Sequence, residues 1–253
     1  MDLIKKANDN IVRTPEEIEN KRRQNINVEE LETAQHGYAN GISIHLKNLI
    51  EKGEHRSLNE KEKNEIIEKA AIAYGNFLTA LGVDWKNDPN SMETPYRVAK
   101  KYVHDMWKGR YNIPTDITAF PSDNYKDIIM ERDIPVISMC SHHHENILGK
   151  VHVAYIPGPD NKVIGLSKIN RIIEHFSCRG AIQEQLTVAI HNAIEKIADG
   201  NIGVMVVIHA THQCVSCRGV KHQGASMITS KVSGVFADHT KTAKQEVLTF
   251  ITI

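Results

Sequence analysis

The sequence has no excess of charge of either sign, because Lys plus Arg and Asp plus Glu each number 31 in its 253 residues. Net charge therefore does not favour a nucleic acid or an anionic membrane as partner, and phosphate binding would need a local basic cluster. The chain lacks an apolar run long enough to span a bilayer, and its first residues lack the apolar stretch of a secretory signal. We expect a cytoplasmic protein that binds neither nucleic acid nor membrane.

Cysteine is scarce, and the four present are Cys140, Cys178, Cys214 and Cys217. Four clustered thiols are too few for a disulfide scaffold in a chain of this length, so metal binding in a reducing compartment is the better interpretation. Hydrophobic residues make up 41% of the chain and charged residues 25%, which is typical of a globular protein with one substantial core.

The residue composition of the chain changes twice along its length. We divide it into an N-terminal arm and weakly helical region at residues 1–60, a helical segment at 61–120 and a C-terminal domain at 121–253. The last region is rich in β-branched residues. Its predicted strands are 134–139, 149–156, 202–210 and 226–236, and helices at 167–176 and 181–198 lie between the second and third. This order predicts an α+β fold, in which two helices pack on an antiparallel four-stranded sheet.

Two helices are predicted before the strands. Apolar residues at i, i+3 and i+4 spacing predict a helix from Asn59 to Leu81, with Gly82 as its stop. The next helix is expected to have Thr94 as its N-cap and Pro95 as its first residue, and to end at Gly109.

Two short clusters of cysteine and histidine are the most informative part of the sequence: Cys140-Ser-His-His143 and Thr211-His-Gln-Cys214. Cys140 and His143 are three residues apart, a spacing that a turn can fold around one ion, and with Cys214 they form a soft ligand set that suits zinc. Three protein ligands leave zinc a position for water, as in catalytic sites. His142 and His212 then remain as bases for proton transfer near neutral pH.

The second cluster is expected to lie on a strand, but it leaves other ligand sets open. Residues 204–214 are interpreted as one extended segment, on which His212 and Cys214 point to the same face. Alternatively, Cys214 and Cys217 form a C-x-x-C pair that would make a structural four-ligand site with the cysteine and a histidine of the first cluster. His144 is a further candidate ligand.

Basic residues at a predicted helix start form a candidate phosphate site. Ser167 is the predicted N-cap, and Lys168 and Arg171 share a face where free N–H groups and the helix dipole favour anions. Arg218 and Arg97 would add positive charge. The alternative is an ordinary solvated helix start.

An amide and a carboxylate stand next to each other at Gln183 and Glu184. Such a pair can recognise the edge of a planar base by its pattern of donors and acceptors. Helix surfaces are nevertheless full of Gln and Glu, so the pair by itself indicates little.

Taken together, these motifs resemble the GTP cyclohydrolase I family, in the order of that family and from about residue 61 to the end. The matching stretches are Met92–Lys100, Cys140–His143, Gly149–Pro157, Gly165–Glu174, Ile182–Thr187 and Thr211–Val220. Each motif is modest by itself, but the ordered set is specific. The family hydrolyses GTP at C8, releases formate and rearranges the ribose to give 7,8-dihydroneopterin triphosphate. The resemblance therefore implies GTP as substrate and Zn²⁺ as cofactor.

The resemblance also implies a role for each candidate site residue. The implied roles are zinc ligands for Cys140, His143 and Cys214, acid–base residues for His142 and His212, guanine contacts for Gln183 and Glu184, and triphosphate and ribose contacts for Ser167, Lys168, Arg171 and Arg218, with Arg97 from another subunit. It further implies the tunnelling fold, assembled as a homodecamer with active sites at subunit interfaces.

The sequence departs from the family pattern at a few positions. Ser141 stands where Glu is common, Gln185 where Arg is usual and His209 where an acidic residue is frequent, and Gly180 is also unusual. Ser141 and Gln185 remove one charge of each sign, so we expect them to lie near each other. The ligand and proton-transfer positions are intact, which favours the family reaction. The alternatives are a same-fold enzyme for a related purine nucleotide, a member that binds nucleotide without turning it over, and a non-catalytic zinc module.

Overall fold

The structure, a computed structural model, describes most of the chain from residue 41 onward. The described residues are 41–54, 56–114, 117, 119–121, 125–158 and 162–252. The predicted N-terminal arm and the weakly helical region as far as residue 40 lie outside them, and the boundaries drawn at residues 60 and 120 stay predictions. None of the helices within these ranges is long and apolar enough to cross a membrane.

The first two helices of the described residues are α1 (Ile44–Glu51), which lies before the predicted helical segment, and α2 (Glu60–Ala80). Asn59 caps α2, because its side chain accepts a hydrogen bond from Glu62 N–H at 3.0 Å while the Glu62 carboxylate accepts one from Asn59 N–H at 2.7 Å. Gly82, with φ of 76°, follows the end of the helix. The predicted helix from Asn59 to Leu81 is confirmed, apart from its end residues.

The next helix differs from its prediction. In α3 (Thr94–Lys101), Thr94 is the first helical residue and Glu93 is the N-cap, so the capping role predicted for Thr94 is wrong. A π-helical turn, Tyr102–Met106, and a 3-10 turn, Lys108–Arg110, replace the rest of the expected α-helix. The π-helical turn is closed by Trp107 N–H, which donates to the Tyr102 carbonyl at 2.8 Å, an i→i−5 bond that widens the helix.

The described part of the second half forms a four-stranded antiparallel sheet and a small strand pair. The pair joins β1 (Ala119–Pro121) to β4 (Lys162–Ile164). The main sheet has the order β2–β3–β5–β6, with β2 at Ile129–Met139, β3 at Asn146–Ile156, β5 at Gly203–His212 and β6 at Ser226–Val232. Two helices, α4 (Leu166–Ser177) and α5 (Gln183–Ile197), connect β3 to β5 and pack on one face. The predicted α+β architecture is confirmed.

Several element ends differ from the predictions. Gly165, not Ser167, is the N-cap of α4, so Ser167 lies inside its first turn. β6 ends at Val232, and a 3-10 turn at Gly234–Phe236 takes the place of the last residues of the predicted strand. Two helices were not predicted: α6 (Gln213–Ser216), directly after β5, and α7 (Ala243–Thr252).

The main core lies between the two connecting helices and one face of the sheet. Val151, Val153 and Tyr155 alternate along β3 and are fully buried on that face. Their partners from α4 and α5 include Ile172, Ile173, Phe176, Leu186, Ile190 and Ile194. This packing fixes the direction of α4 and α5 and therefore the positions of the polar residues at their ends.

His175, on α4, is expected to make stability depend on pH. Burial, and to a smaller extent the nearby Arg179, lowers the pKa of His175 to about 3. Between these two pH values the unfolded state, whose histidine has a pKa of about 6.5, binds more protons than the folded state. The stabilising contribution of neutral His175 is therefore fully present above pH 6.5 and is lost as the pH falls. The unfolding free energy of the wild-type protein falls between pH 7 and pH 5. We expect this fall to be smaller by about 2 kcal/mol in His175→Gln. Urea denaturation at fixed protein concentration measures this, and an unchanged pH dependence would contradict it.

Candidate active site

The register of the sheet brings the two Cys/His clusters together. Ile147 of β3 pairs with Ser138 of β2 on one side and with His212 of β5 on the other. Cys140 directly follows β2, and Cys214 lies two residues beyond the end of β5. Because antiparallel pairing aligns these strand ends, the two thiols reach the same end of the sheet.

Cys214 does not lie on the strand. β5 ends at His212, which is the N-cap of α6, and Cys214 is inside that helical turn. The predicted extended segment at residues 204–214 is therefore wrong in its last two residues. The alternation argument that placed His212 and Cys214 on one face fails, because the backbone turns between them.

The thiols of Cys140 and Cys214 are close enough for Cys140 to affect the pKa of Cys214, and both are free of disulfide bonds. Cys140 is buried, and Cys214 packs against the same core. Burial raises the pKa of the Cys214 thiol, and the neighbouring Cys140 raises it further, whereas Arg218 lowers it. Ionising the Cys214 thiol is therefore unfavourable without a cation, and a bound metal ion would reverse this balance.

The turn after β2 holds three consecutive histidines and is closed by His144 N–H, which donates to the Cys140 carbonyl at 3.0 Å. His142 and His143 are exposed, with ring centroids 6.3 Å apart. His144 instead contacts the rings of the π-helical turn. Within the described ranges, no three His, Cys, Asp or Glu side chains are gathered as a metal site. The two predicted thiol ligands are brought together, and the predicted imidazole ligand is nearby in sequence but not grouped with them.

Gln183, the first residue of α5, orients His212. Its side chain is fully buried, and the two hydrogens of its amide nitrogen are shared among three acceptors, the carbonyls of Ile208 and Met227 at 3.1 Å and Thr229 Oγ1 at 3.0 Å. Because carbonyls only accept hydrogen bonds, the amide oxygen must be the atom that faces His212 Nε2, at 2.7 Å. His212 Nε2 therefore carries a proton, and the basic lone pair of the neutral ring lies on Nδ1.

The pKa of His212 is lowered by burial, and the nearby Glu184 carboxylate partly opposes this shift. His212 is therefore neutral at pH 7 and able to accept a proton. Glu184 itself is exposed, whereas every polar atom of the Gln183 amide is engaged within the chain. Sequence patterns gave no signal for this contact, because the partners of Gln183 lie 25 to 46 residues away.

The residues predicted to bind phosphate lie toward the other end of β2. Asn170 of α4 hydrogen-bonds to Glu131 near the start of β2, whereas the carbonyl of Ser177, the last residue of α4, accepts from Ser138 Oγ at 2.7 Å. α4 therefore runs alongside β2, whose 11 residues span about 35 Å. The residues in the first two turns of α4 are Ser167, Lys168 and Arg171. They lie nearer the start of β2, whereas Cys140 directly follows its end.

The remaining candidates are at the surface. Arg97 is exposed on α3 and forms an ion pair with Glu93 at 2.7 Å. Arg218 is exposed after α6, close enough to Cys214 to affect its pKa. Cys217 is exposed at the end of α6. A four-ligand structural site that uses Cys217 is not assembled among the described residues.

Three of the four unusual positions lie on exposed surfaces. His209 is on β5, and its Nε2 is 3.0 Å from Ser226 Oγ on β6, which makes it a surface histidine. Ser141 and Gln185 are both exposed, and their proximity stays a prediction.

A four-stranded antiparallel sheet with two helices on one of its faces defines an α+β protein, and its two thiols of interest and His212 lie at one end of that sheet. Family comparison agrees, since the family model for GTP cyclohydrolase I matches residues 70–252. A protein named GTP cyclohydrolase 1 from Streptococcus mutans serotype c is 40% identical over 195 residues, which cover 77% of this chain and 98% of that protein. The chain belongs to the GTP cyclohydrolase I family.

Two further relatives carry the same name, GTP cyclohydrolase 1. The protein from Streptococcus agalactiae serotype V is 39% identical over 185 residues, which cover 73% of this chain and 96% of the relative. The protein from Carboxydothermus hydrogenoformans is 40% identical over 171 residues, which cover 67% and 87%. The match therefore includes nearly the whole length of these relatives, and the protein is a hydrolase with GTP cyclohydrolase I activity.

Proposed function

We propose that the chain hydrolyses GTP at C8 with a catalytic Zn²⁺ bound by Cys140, His143 and Cys214. The observation that supports this best is the proximity of the two thiols, which pack against the same core at one end of the sheet, because a soft sulfur pair suits zinc. His143, three residues beyond Cys140 in the exposed turn, would supply the imidazole. When bound, the metal would supply a water molecule whose pKa is lowered to about 7.

Opening the imidazole ring requires groups that move protons. Two successive additions of water to C8 break its bonds to the two ring nitrogens; the first opens the ring to a formamide and the second releases formate, and the nitrogens take up protons. His212 would accept a proton at Nδ1, the nitrogen that its bond to Gln183 leaves free. His142, beside the ligand position and exposed, would be the second proton-transfer group.

Recognition of the base would fall to Glu184. Its exposed carboxylate is close to His212 and can accept hydrogen bonds from the amino group of guanine. Gln183 would contribute to the same site through His212, because its own amide is already engaged. In this proposal the residues that bind the triphosphate and ribose are Ser167, Lys168, Arg171 and Arg218, with Arg97 from another subunit.

We further infer that two copies of the chain share each active site. The start of α4 and the thiol pair lie toward opposite ends of β2, so one chain would not bring both to a single GTP. β2 and β6 are the edge strands of the sheet, and such edges can pair with another copy. Beside β2, a cavity of about 530 Å³ is lined by Arg171 and by neither thiol of the pair. The homodecamer implied by the family would supply the second copy.

Complementation tests the shared site. Arg171→Ala and His212→Ala are each expected to lose turnover, and coexpression of the two is expected to restore about a quarter of wild-type activity. The reason is that about one site in four of a mixed symmetric oligomer would combine an intact Arg171 from one copy with an intact His212 from another. Pterin absorbance and formate release from GTP measure the recovery.

The matched control is a variant that carries both Arg171→Ala and His212→Ala in one chain, coexpressed with the wild-type chain. A site shared by two copies retains about a quarter of wild-type activity, whereas a site within one chain retains about half. Activity of about half in the control, together with no recovery in the cross of single variants, would refute the shared site.

A further inference from the structure

A cluster of three aromatic rings joins the π-helical turn to the turn that follows β2. Tyr102 and Trp107 have ring centroids 4.6 Å apart, and the His144 ring lies edge-on to both, at 5.9 Å and 5.1 Å. Tyr102 Oη is 3.3 Å from His144 Nδ1, within hydrogen-bonding distance. The ring that is tied down in this way belongs to the residue next to the proposed zinc ligand His143.

The π-helical turn explains how the two aromatic rings meet. Residues five apart in a regular α-helix are separated by about 140° around the axis, so Tyr102 and Trp107 would lie on different faces. The wider turn, closed by the bond from Trp107 N–H to the Tyr102 carbonyl, brings both rings to one side. π-Helical turns within helices are often found at functional sites.

His144 has a backbone conformation that needs support. Its φ of 57° lies in the left-handed region, which residues with a β-carbon adopt only where their surroundings hold them. The same residue closes the turn through its bond to the Cys140 carbonyl, and Cys140 N–H in turn donates to the Glu145 carbonyl at 2.8 Å. The residue that carries the anchored ring is therefore also the one that closes the backbone turn holding Cys140 and His143.

Trp107 also packs against Arg110 and Gly180. The Arg110 guanidinium lies 4.7 Å from the centre of the indole ring, and its Nη2 donates to the Gly180 carbonyl at 3.2 Å. A β-carbon at position 180 would be 2.6 Å from Trp107 Nε1, so glycine is needed there, and its φ of 69° also favours glycine. This contact accounts for the unusual glycine noted in the sequence.

We propose that Tyr102 and Trp107 are positioning residues for the metal-binding turn, and that they act through the side chain of His144. The inference rests on the zinc site proposed above. It also gives His144 a role that differs from that of a ligand, because its Nδ1 is turned toward Tyr102. Neither aromatic residue is assigned a contact with GTP.

Zinc release from the full-length, zinc-loaded protein tests the proposal, with a chromogenic chelator as the competitor. Tyr102→Phe keeps the ring and removes the hydroxyl, and is expected to weaken zinc binding by about tenfold, the lower end of the effect of removing an outer-shell partner. At saturating zinc the KM for GTP should stay the same while kcat falls. Tyr125→Phe is the matched control, since it removes a hydroxyl bond of the same 3.3 Å length at a distant exposed position.

A double-mutant cycle shows whether the effect passes through His144. His144→Gly keeps the backbone conformation and removes the ring, so adding Tyr102→Phe to it should weaken zinc binding no further. Additive losses of zinc affinity would contradict an effect of Tyr102 through His144. Equal zinc release in wild type and Tyr102→Phe would overturn the positioning role of Tyr102 and leave the proposed zinc site intact. A wild-type protein that takes up no zinc would overturn both this proposal and the zinc site on which it rests.

Discussion

Cys214→Ser is expected to abolish zinc binding and to lower GTP turnover by more than about 100-fold, since losing even an outer-shell partner of a metal ligand costs about 10–100-fold. A serine hydroxyl does not replace a thiolate as a soft ligand. Cys140, which lies near Cys214, would remain without its sulfur partner. Metal content and the formation of pterin from GTP, at fixed protein concentration, measure the two losses.

Cys217→Ser is the matched control, because it makes the same atomic change three residues further along the chain, at an exposed position. Zinc content and turnover are expected to stay within about twofold of wild type, as for other surface substitutions. Equal zinc loss in both variants would instead identify a structural four-ligand site that includes Cys217. That result would contradict the proposed catalytic metal.

His212→Ala is expected to lower kcat by about 10²–10⁴-fold, the usual contribution of a general acid–base group. Zinc content and affinity for GTP should change little, because His212 is not among the proposed ligands and its Nε2 is directed at Gln183. Burial lowers its pKa and keeps the neutral form available near pH 7. Calorimetry with a non-hydrolysable GTP analogue and single-turnover assays separate binding from chemistry.

His209→Ala provides the comparison on the same strand. His209 is exposed on β5 and contacts Ser226, so its removal is expected to leave turnover near the wild-type value. Retained turnover in His212→Ala would contradict the acid–base role. Loss of zinc from His212→Ala would show that this residue supports the metal instead.

The main elements of the fold were predictable because their signals are local. The cap of α2 at Asn59 and its apolar spacing act within a few residues, and the α+β architecture follows from the order of helices and strands. The ends of elements were less predictable. β5 ends at His212 and α6 begins immediately after it, although the sequence through Cys214 is compatible with an extended strand.

The π-helical turn at Tyr102–Met106 shows why local patterns were insufficient at one point. Apolar spacing there predicts an ordinary helix, and the contact that accompanies the wide turn is with His144, 42 residues further along. Pairwise contacts of this kind depend on the whole fold. They leave no periodic pattern in the sequence.

For the candidate site too, some features were predictable from the sequence and others only from the structure. The sequence alone determined the chemical groups, because two clusters of soft ligands and imidazoles point to zinc and proton transfer whatever their exact placement. Only the tertiary structure decided that Gln183 faces inward onto His212 and that Arg171 lies toward the far end of β2 from Cys140. The physical reason is that both facts depend on strand register and helix direction. These are set by packing between residues that are distant in the chain.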